Sequence, residues 1–486
     1  MSSRKTKDFD EITAFLGDYG SFQILMIVLL SLSTIMCGYT GMIVVFVSDT
    51  PEHHCKVSIN YTRNATDVEV SFRNQSIWIG SNSCSRYTLN RSSTEAGEHN
   101  DTEPCLDGWV FSTERYTATI VSEWDLVCHN AWMVPFTTSL FFVGVLIGSF
   151  VSGHFSDRFG RKPVFFFTLA LQTFTPLIQA TSVSWLMFCI LNFLRGLGQI
   201  SNYIASLILG SEMLSPTARM SYALLGHSVG FGVGYALLPL FAYLVRGWRM
   251  LLVASAIPGL LFIPTWWVIP ESPRWLLQKG RVEEAELIIR AAAKRNQVQA
   301  PEVIFRADEC LELMQNTGEE RQTYTYLDLI RTPNMRNITI LSVLIWTATS
   351  MVFYGLSLNT SNLNGNVYLT CFISAVIDIV VYVVTWMLVN RVQRPTFICS
   401  AMMFCGIMLL VIKLVPEGVY SKILPYIVFG TISIMAAAVS MLLPDTRNSK
   451  LPDLISQAKH IRGCCYKKET ATAPSDLMAV VDSSAV

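Results

Sequence analysis

Charged side chains are scarce in this chain. Asp, Glu, Lys and Arg make up only 15% of its 486 residues, and the formal net charge is zero. A neutral chain offers no basic surface for nucleic acid, so we predict no nucleic-acid partner. The sequence also lacks a metal-ligand cluster, a nucleophile triad and an intact phosphate-binding loop. We therefore predict that the protein is not an enzyme and uses no cofactor or metal.

Long apolar runs are the dominant feature instead. Hydrophobic residues make up 51% of the chain, and the mean hydropathy is +0.40. A run of about twenty apolar residues spans a ~30 Å hydrocarbon core, so the pattern predicts an all-α, multi-pass membrane protein. The predicted spans are residues 22–46, 134–153, 164–181, 185–210, 222–245, 251–268, 338–356, 367–389, 396–414 and 423–443.

These runs predict an alternation of membrane and aqueous segments. The first residues lack a signal-peptide pattern and contain Arg4, Lys5 and Lys7, so we expect them in the cytosol. The predicted segments are a cytosolic N-terminus at 1–20, the first transmembrane helix at 21–48, a glycosylated, disulfide-bearing extracellular loop at 49–132, helices two to six at 133–269, a cytosolic linker at 270–336, a shortened second helical half at 337–443 and a cytosolic tail at 444–486.

The loop after the first span carries the marks of an extracellular segment. Five crowded sequons predict glycosylation at Asn60, Asn64, Asn74, Asn90 and Asn100. The loop also holds four of the twelve cysteines of the chain, namely Cys55, Cys84, Cys105 and Cys128. Four cysteines predict two disulfides, and three alternative pairings are open.

A short basic loop at residues 153–163 reads GHFSDRFGRKP. Arg158 and Arg161 mark it as cytosolic. Asp157 can accept charge-assisted hydrogen bonds from these arginines, so we predict a cytosolic latch between helix ends that includes the pair Asp157–Arg161. In the loop after the fourth span, Glu212 is predicted to pair with Arg219 and to join this latch, with ordinary helix-end charges as the alternative. The pattern D-R-x-G-R-K between the second and third helices resembles the signature loop of major facilitator transporters.

That resemblance implies two parallel halves, and the second half is short. Four predicted spans lie between Pro163 and Pro270, but only two lie between the corresponding Pro395 and Pro444. We therefore predict a major facilitator fold with about ten transmembrane helices, two of them missing from the second half. The gap falls between residues 414 and 423.

Several further stretches resemble the organic cation/carnitine transporters. They read DEITAFLG at 10–17, CLDGW at 105–109, SEWDLVC at 122–128, QISNY at 199–203 and PESPRWL at 270–276. The resemblance implies uptake of carnitine or other organic cations at the plasma membrane, with sodium as a candidate coupling ion. The chain departs from the family at Cys37, where carnitine transporters have an asparagine implicated in sodium binding. It also has Ser215 and Pro216 in place of the Gly-Lys of a phosphate loop.

Polar residues inside the predicted spans are candidates for the substrate and ion path. Arg195 in the fourth span is followed on the same helix face by Gln199, Asn202 and Tyr203. We interpret this polar stripe as lining a water-filled cavity, with hydrogen bonding between helices as the alternative.

Other spans contribute further candidates. By the resemblance, Gln172 and Asn202 correspond to positions used around sodium. Asp378 is interpreted as attracting a cationic substrate or pairing with Arg195. Phe231 and Tyr235 are predicted to stack on a quaternary ammonium, with plain packing as the alternative. His227 either titrates near neutral pH or, as we favour, is a hydrogen-bonded packing residue.

The sequence therefore predicts a sodium-coupled secondary transporter of carnitine or organic cations. The alternatives are a transport-inactive shortened variant and an organic cation or anion facilitator without sodium coupling. The terminal residues Ser484, Ala485 and Val486 predict a PDZ-type partner.

Overall fold

A computed structural model describes residues 9–56, 83–87, 102–105, 108–305, 328–358, 366–389, 391–411 and 420–444. All five predicted sequons and most of the predicted tail lie outside the described residues. The α-helices in chain order are α1 Phe9–Ile12, α2 Ser21–Met42, α3 Val44–Val47, α4 Ile120–Glu123, α5 Met133–Phe159, α6 Arg161–Gln179, α7 Trp185–Met213, α8 Pro216–Ser221, α9 Val229–Val245, α10 Trp248–Phe262, α11 Pro273–Gln278, α12 Val282–Arg295, α13 Asp328–Arg331, α14 Pro333–Leu358, α15 Val367–Leu388, α16 Arg394–Val411 and α17 Tyr420–Ser440.

Each predicted span overlaps a helix. Seven stretches of the described chain are long and apolar enough to cross a membrane, namely Ser21–Val47, Cys128–Phe159, Pro216–Val245, Trp248–Trp267, Pro333–Leu358, Val367–Leu388 and Arg394–Val411. The other three predicted spans fall on α6, α7 and α17. Polar side chains such as Arg195 and Asn202 lower the hydropathy of α7, although the helix runs unbroken through them.

Local sequence signals set the helix ends. Ser184, Ser215 and Ser272 each accept a hydrogen bond from a backbone N–H of the first turn that follows, as N-cap residues do. Between α5 and α6, Gly160 adopts a φ of 111°, which only glycine reaches without strain. The sequence predicted a loop over residues 153–163, but all of these residues except Gly160 are helical, so the two long helices turn at this glycine.

The described residues form two compact units, one drawn from residues 1–321 and 356–388 and the other from residues 322–355 and 389–486. In the first unit, glycines allow close helix packing. A Cβ on Gly144 of α5 would lie 2.1 Å from the carbonyl oxygen of Phe193, and one on Gly38 of α2 would lie 2.0 Å from that of Phe231. Membrane helices approach closely through such small residues because the hydrophobic effect does not drive them together.

Helix α15 belongs to the first unit, although it follows the linker in sequence. It packs on α9, where Gly232 leaves room for the side chain of Ile379. In the second unit, α16 packs on α17, and the Ser433 hydroxyl donates to the carbonyl of Met402 at 2.8 Å. Within the predicted linker at 270–336, α12 buries Ile289 and Ala285 in a cluster with Phe9 of the N-terminal segment.

Two small sheets lie in the loop predicted to be extracellular. Strand β1 (His53–Cys55) pairs antiparallel with β4 (Trp109–Phe111), and β2 (Ser85–Tyr87) pairs antiparallel with β3 (Thr102–Pro104). Of the three open pairings, the structure has Cys55 bonded to Cys105 and Cys84 bonded to Cys128.

Ion pairs and hydrogen bonds join this loop to the helices. The Glu123 carboxylate pairs with Arg249 at the start of α10 and accepts a hydrogen bond from the indole N–H of Trp248 at 2.7 Å. Tyr116 donates to Asp49 at 2.7 Å. Burial and the charge of Asp49 raise the pKa of Tyr116, so its hydroxyl stays protonated and able to donate.

Candidate functional site

A buried polar cluster lies between α2, α6 and α7. At its centre the Cys37 thiol, which is fully buried, lies 3.5 Å from the Oε1 of Gln172 and 3.6 Å from the Oδ1 of Asn202. The backbone oxygen of Gln199 is 3.7 Å away, and the Gln199 side chain donates to the carbonyl of Cys37 at 3.2 Å. Three residues of the predicted path, from two different helices, therefore meet at one sulfur atom. We call these four residues the Cys37 cluster.

The Cys37 cluster has the chemistry of a weak cation site. Amide and carbonyl oxygens are hard donors that suit a small hard cation, whereas a thiol is a soft ligand. The carboxamide of Asn202 is held in place by a hydrogen bond to the carbonyl of Phe165 at 3.2 Å. The Nε2 of Gln172 is buried and has no hydrogen-bond partner among the described residues. Gln172 therefore contacts the cluster through its Oε1, and its Nε2 is left unpaired among the described residues.

Arg195 lies on α7 in the same helix bundle, with 1% of its surface exposed. Its guanidinium contacts the Oε1 of Gln179 at 3.5 Å and lies over the ring of Phe141, 5.2 Å from the centroid. Within the described part of the chain no carboxylate forms an ion pair with it, so the structure does not show the suggested pair with Asp378. The polar stripe packs against neighbouring helices here, and its place on the substrate path stays a prediction.

Aromatic side chains border the Cys37 cluster on the α9 side. The rings of Tyr203 and His227 lie 4.0 Å apart between centroids, and Phe231 meets Tyr203 edge-on at 6.0 Å. Tyr235, one turn beyond Phe231, is fully buried. The structure thus brings Tyr203 and Phe231 together. A role for these rings in holding a quaternary ammonium stays a prediction.

The structure contradicts the interpretation of His227 that we favoured, a hydrogen-bonded packing residue. His227 is buried, as a packing residue would be, but neither ring nitrogen has a hydrogen-bond partner among the described residues. The interpretation as a hydrogen-bonded residue is therefore wrong for this structure.

Asp378 is the acidic candidate within a span. It lies midway along α15 and is half-buried. The described residues supply no hydrogen-bond or ion-pair partner for its carboxylate. A carboxylate within a membrane span costs free energy, which makes Asp378 a candidate functional residue.

The latch forms around Arg161 at the start of α6. Its guanidinium pairs with Asp157 at 2.6 Å and with Glu212 at 3.0 Å, and 8% of the Arg161 side chain is exposed. Burial lowers the pKa of Arg161, but the hydrogen bonds and charges of Glu212 and then Asp157 outweigh it, so the net pKa is raised. The guanidinium therefore stays charged. Arg158 lies outside this group and rests over the ring of Phe159.

Glu212 and Arg219 do not pair with each other, so that prediction is wrong. Glu212 ends α7 and points to Arg161, whereas Arg219 lies on α8, beyond the turn that Ser215 caps. Arg219 pairs instead with Asp10 of α1, at 2.6 and 3.1 Å. Sequence spacing cannot show this pair because its partners are far apart along the chain.

Glu271 is a latch contact that the sequence did not single out. Its carboxylate accepts hydrogen bonds from the backbone N–H groups of Arg161, Lys162 and Ser272, at 3.0, 3.0 and 2.9 Å. A carboxylate at a helix N-terminus accepts hydrogen bonds from otherwise unpaired N–H groups and interacts favourably with the helix dipole. The indole of Trp275 adds a hydrogen bond to the carbonyl of Asp157 at 3.1 Å. The PESPRW stretch was a signal for this contact, but only the fold reveals its partner.

Comparison with known proteins identifies the family. The family model described as "Sugar (and other) transporter" matches residues 25–443, which is most of the chain. The chain belongs to this family of major facilitator transporters. The prediction of a transporter rather than an enzyme is therefore confirmed, as is that of a multi-pass membrane protein.

Two similar proteins indicate which group of major facilitator transporters the chain resembles. The chain is 38% identical to organic cation/carnitine transporter 2 of Homo sapiens, over 95% of this chain and 96% of that protein. It is 39% identical to solute carrier family 22 member 4 of Mus musculus, over 96% of this chain and 97% of that protein. The predicted resemblance to organic cation/carnitine transporters is confirmed.

Solved structures agree on the fold. The proton:xylose symporter XylE aligns with a TM-score of 0.53 at 16% identity, over 88% of this chain and 83% of that one. A double-tryptophan mutant of XylE aligns with a TM-score of 0.52 at 17% identity, over 87% and 82%. The major facilitator fold predicted from the GHFSDRFGRKP loop is confirmed.

Proposed function

We propose that the protein is a secondary active transporter of carnitine and related organic cations at the plasma membrane, coupled to sodium. The observation that carries this proposal is the Cys37 cluster, a group of amide and carbonyl oxygens gathered within the membrane-embedded bundle. The similarity to organic cation/carnitine transporter 2 supports the substrate class. A small-molecule substrate and sodium are thus the proposed partners.

Sodium coupling rests on the oxygen ligands of Gln172, Gln199 and Asn202. One sodium ion that crosses about 60 mV gains roughly 1.4 kcal/mol, which is enough to bias uptake about tenfold. The Cys37 thiol at the centre of these oxygens replaces a hard ligand with a soft one. We therefore expect sodium to bind, but with an apparent affinity that an oxygen ligand at position 37 would improve.

The substrate cation is assigned to Asp378 and the aromatic residues. A quaternary ammonium interacts favourably with a carboxylate and with aromatic faces, each ring contributing about 0.5–2 kcal/mol. Asp378 on α15 and Phe231 on α9 belong to neighbouring helices of the same compact unit. Asp378 would attract the ammonium, while Phe231 and Tyr235 would offer ring faces to it.

A transport-inactive variant is the second candidate, and one observation favours it. The comparison with the human transporter runs over 541 positions, more than the 486 residues of this chain, so it includes positions that this chain lacks. The shortened second half predicted from the sequence is one place where such positions would lie. A third candidate, a facilitator without sodium coupling, is favoured by the thiol at position 37.

Replacing Cys37 by asparagine tests the proposal. Cys37→Asn adds a side-chain oxygen beside Gln172, so we expect the sodium concentration for half-maximal carnitine uptake to fall about fivefold, the equivalent of about 1 kcal/mol. The control is Cys189→Asn, because Cys189 is also a buried thiol but lies against Thr137. Initial rates of labelled L-carnitine uptake at graded sodium concentrations give the result.

The outcomes separate the three candidates. An unchanged sodium dependence in Cys37→Asn would remove the Cys37 cluster from ion coupling. Equal uptake with and without sodium in both proteins would favour the facilitator. A surface-exposed protein without any uptake would favour the transport-inactive variant.

A further inference from the structure

His227 is a buried imidazole that the fold leaves without hydrogen bonds. It is 1% exposed, and neither Nδ1 nor Nε2 finds a partner among the described residues. A neutral imidazole carries one N–H donor and one acceptor, and both normally find partners when buried. Purely apolar packing would be better served by leucine at this position. The imidazole can therefore bind a partner that the described residues do not supply.

The surroundings of His227 are aromatic rather than charged. Its ring lies 4.0 Å from that of Tyr203 and 5.9 Å from that of Tyr222, measured between centroids. The Tyr222 hydroxyl is already used, because it donates to the carbonyl of Ser206 at 2.9 Å. No ion pair in the described chain involves His227. The described surroundings of His227 thus consist of aromatic ring faces, with the imidazole as a hydrogen-bonding group.

His227 also lies in an unusual backbone segment. Residues Tyr222–Ser228 form a π-helix, and the Ser228 hydroxyl donates to the carbonyl of Ala223 at 2.8 Å. Short π-helical segments within α-helices are rare and frequently occur at functional sites. A return of this turn to the α-helical register would rotate the residues of the turn about the helix axis. The backbone therefore gives the imidazole a way to change what it faces.

Ring contacts connect His227 to the candidate site. Tyr203 touches both His227 and Phe231, and a Cβ on Gly41 of α2 would lie 3.8 Å from the Phe231 ring and 3.4 Å from the Nε2 of Gln199. His227 is thus separated from the Cys37 cluster by one layer of side chains. A substrate held against these rings would lie within reach of the imidazole.

We propose that His227 is a specificity-determining residue that hydrogen-bonds the polar groups of a hydroxy-acid ammonium substrate. A hydroxyl both donates and accepts, and a carboxylate accepts, so either group complements a neutral imidazole. A tetraalkylammonium ion has neither group and gains nothing from His227. This inference rests on the proposed function and adds to it the basis for preferring a zwitterion over a simple organic cation.

Ligand binding to the purified full-length protein tests the inference. His227→Leu removes both ring nitrogens and keeps a similar volume, whereas His227→Gln keeps a donor and an acceptor. We expect the Kd for L-carnitine to rise about tenfold in His227→Leu, with partial recovery in His227→Gln and no change for tetraethylammonium. The control is His154→Leu, since His154 is exposed on α5. It should leave both dissociation constants unchanged.

Thermal unfolding without ligand provides the second readout. Because the imidazole nitrogens are unpaired, we expect the melting temperature of His227→Leu to equal or exceed that of the parent protein. A lower melting temperature together with equal losses for both ligands would identify a packing histidine and overturn the inference. Unchanged L-carnitine binding in His227→Leu would also overturn it. A parent protein that binds neither ligand would instead refute the proposed function.

Discussion

Removal of the Arg161 guanidinium should destabilise the protein through the carboxylate it leaves behind. In Arg161→Met, Glu212 would stay 16% exposed without its partner, whereas Asp157, at 74% exposed, would be solvated. Breaking a fully buried pair costs about 3–5 kcal/mol, so we expect about 2–3 kcal/mol for this partly buried one. At about 1 °C per kcal/mol for a chain of 486 residues, the melting temperature should fall by about 2–3 °C.

The double variant separates the charge effect from lost packing. In Arg161→Met/Glu212→Gln the unpaired carboxylate is gone, so most of the lost stability should return. Arg158→Met is the matched control, because it removes the same charge from the same loop but breaks only a contact with Phe159. Thermal unfolding of the purified variants in detergent gives the comparison. Equal melting temperatures for Arg161→Met and Arg158→Met would refute the latch as a stabilising element.

Three further variants examine other contacts. Asp10→Asn leaves Arg219 without its carboxylate and should lower the melting temperature by a few degrees in the same assay, whereas Asp18→Asn, at an exposed position, should not. Cys105→Ser breaks the disulfide between Cys55 and Cys105. Its mobility in non-reducing electrophoresis should change, and the free energy of unfolding should fall by about 2–4 kcal/mol. An unchanged mobility would contradict the pairing. Gly38→Val forces α2 away from α9 and should abolish folding into a monodisperse protein, as size-exclusion chromatography would show.

Hydropathy and loop chemistry predicted the membrane helices well. Apolar runs set the positions of the spans, because a segment must be about twenty residues long to cross the bilayer. The GHFSDRFGRKP loop predicted both the major facilitator fold and the pairing of Asp157 with Arg161. The fourth span was located correctly because an apolar run precedes Arg195, although Arg195 and Asn202 lower the hydropathy of α7 as a whole.

Contacts between distant residues were beyond sequence reasoning. Spacing suggested that Glu212 pairs with Arg219. The two residues lie on either side of the turn between α7 and α8, and they pair with Arg161 and Asp10 instead. Glu271 was not recognised as a helix cap because its acceptor role depends on the fold that brings it to α6. The meeting of Gln172 and Asn202 at Cys37 likewise depends on how α2, α6 and α7 pack.

Sodium-dependent uptake of labelled L-carnitine tests the central proposal most directly. Cells that express this chain would be assayed in sodium medium and in medium with sodium replaced, with surface protein measured in parallel. We predict saturable uptake that is lost when sodium is replaced. A chain that reaches the surface and takes up neither carnitine nor tetraethylammonium would contradict the proposed function.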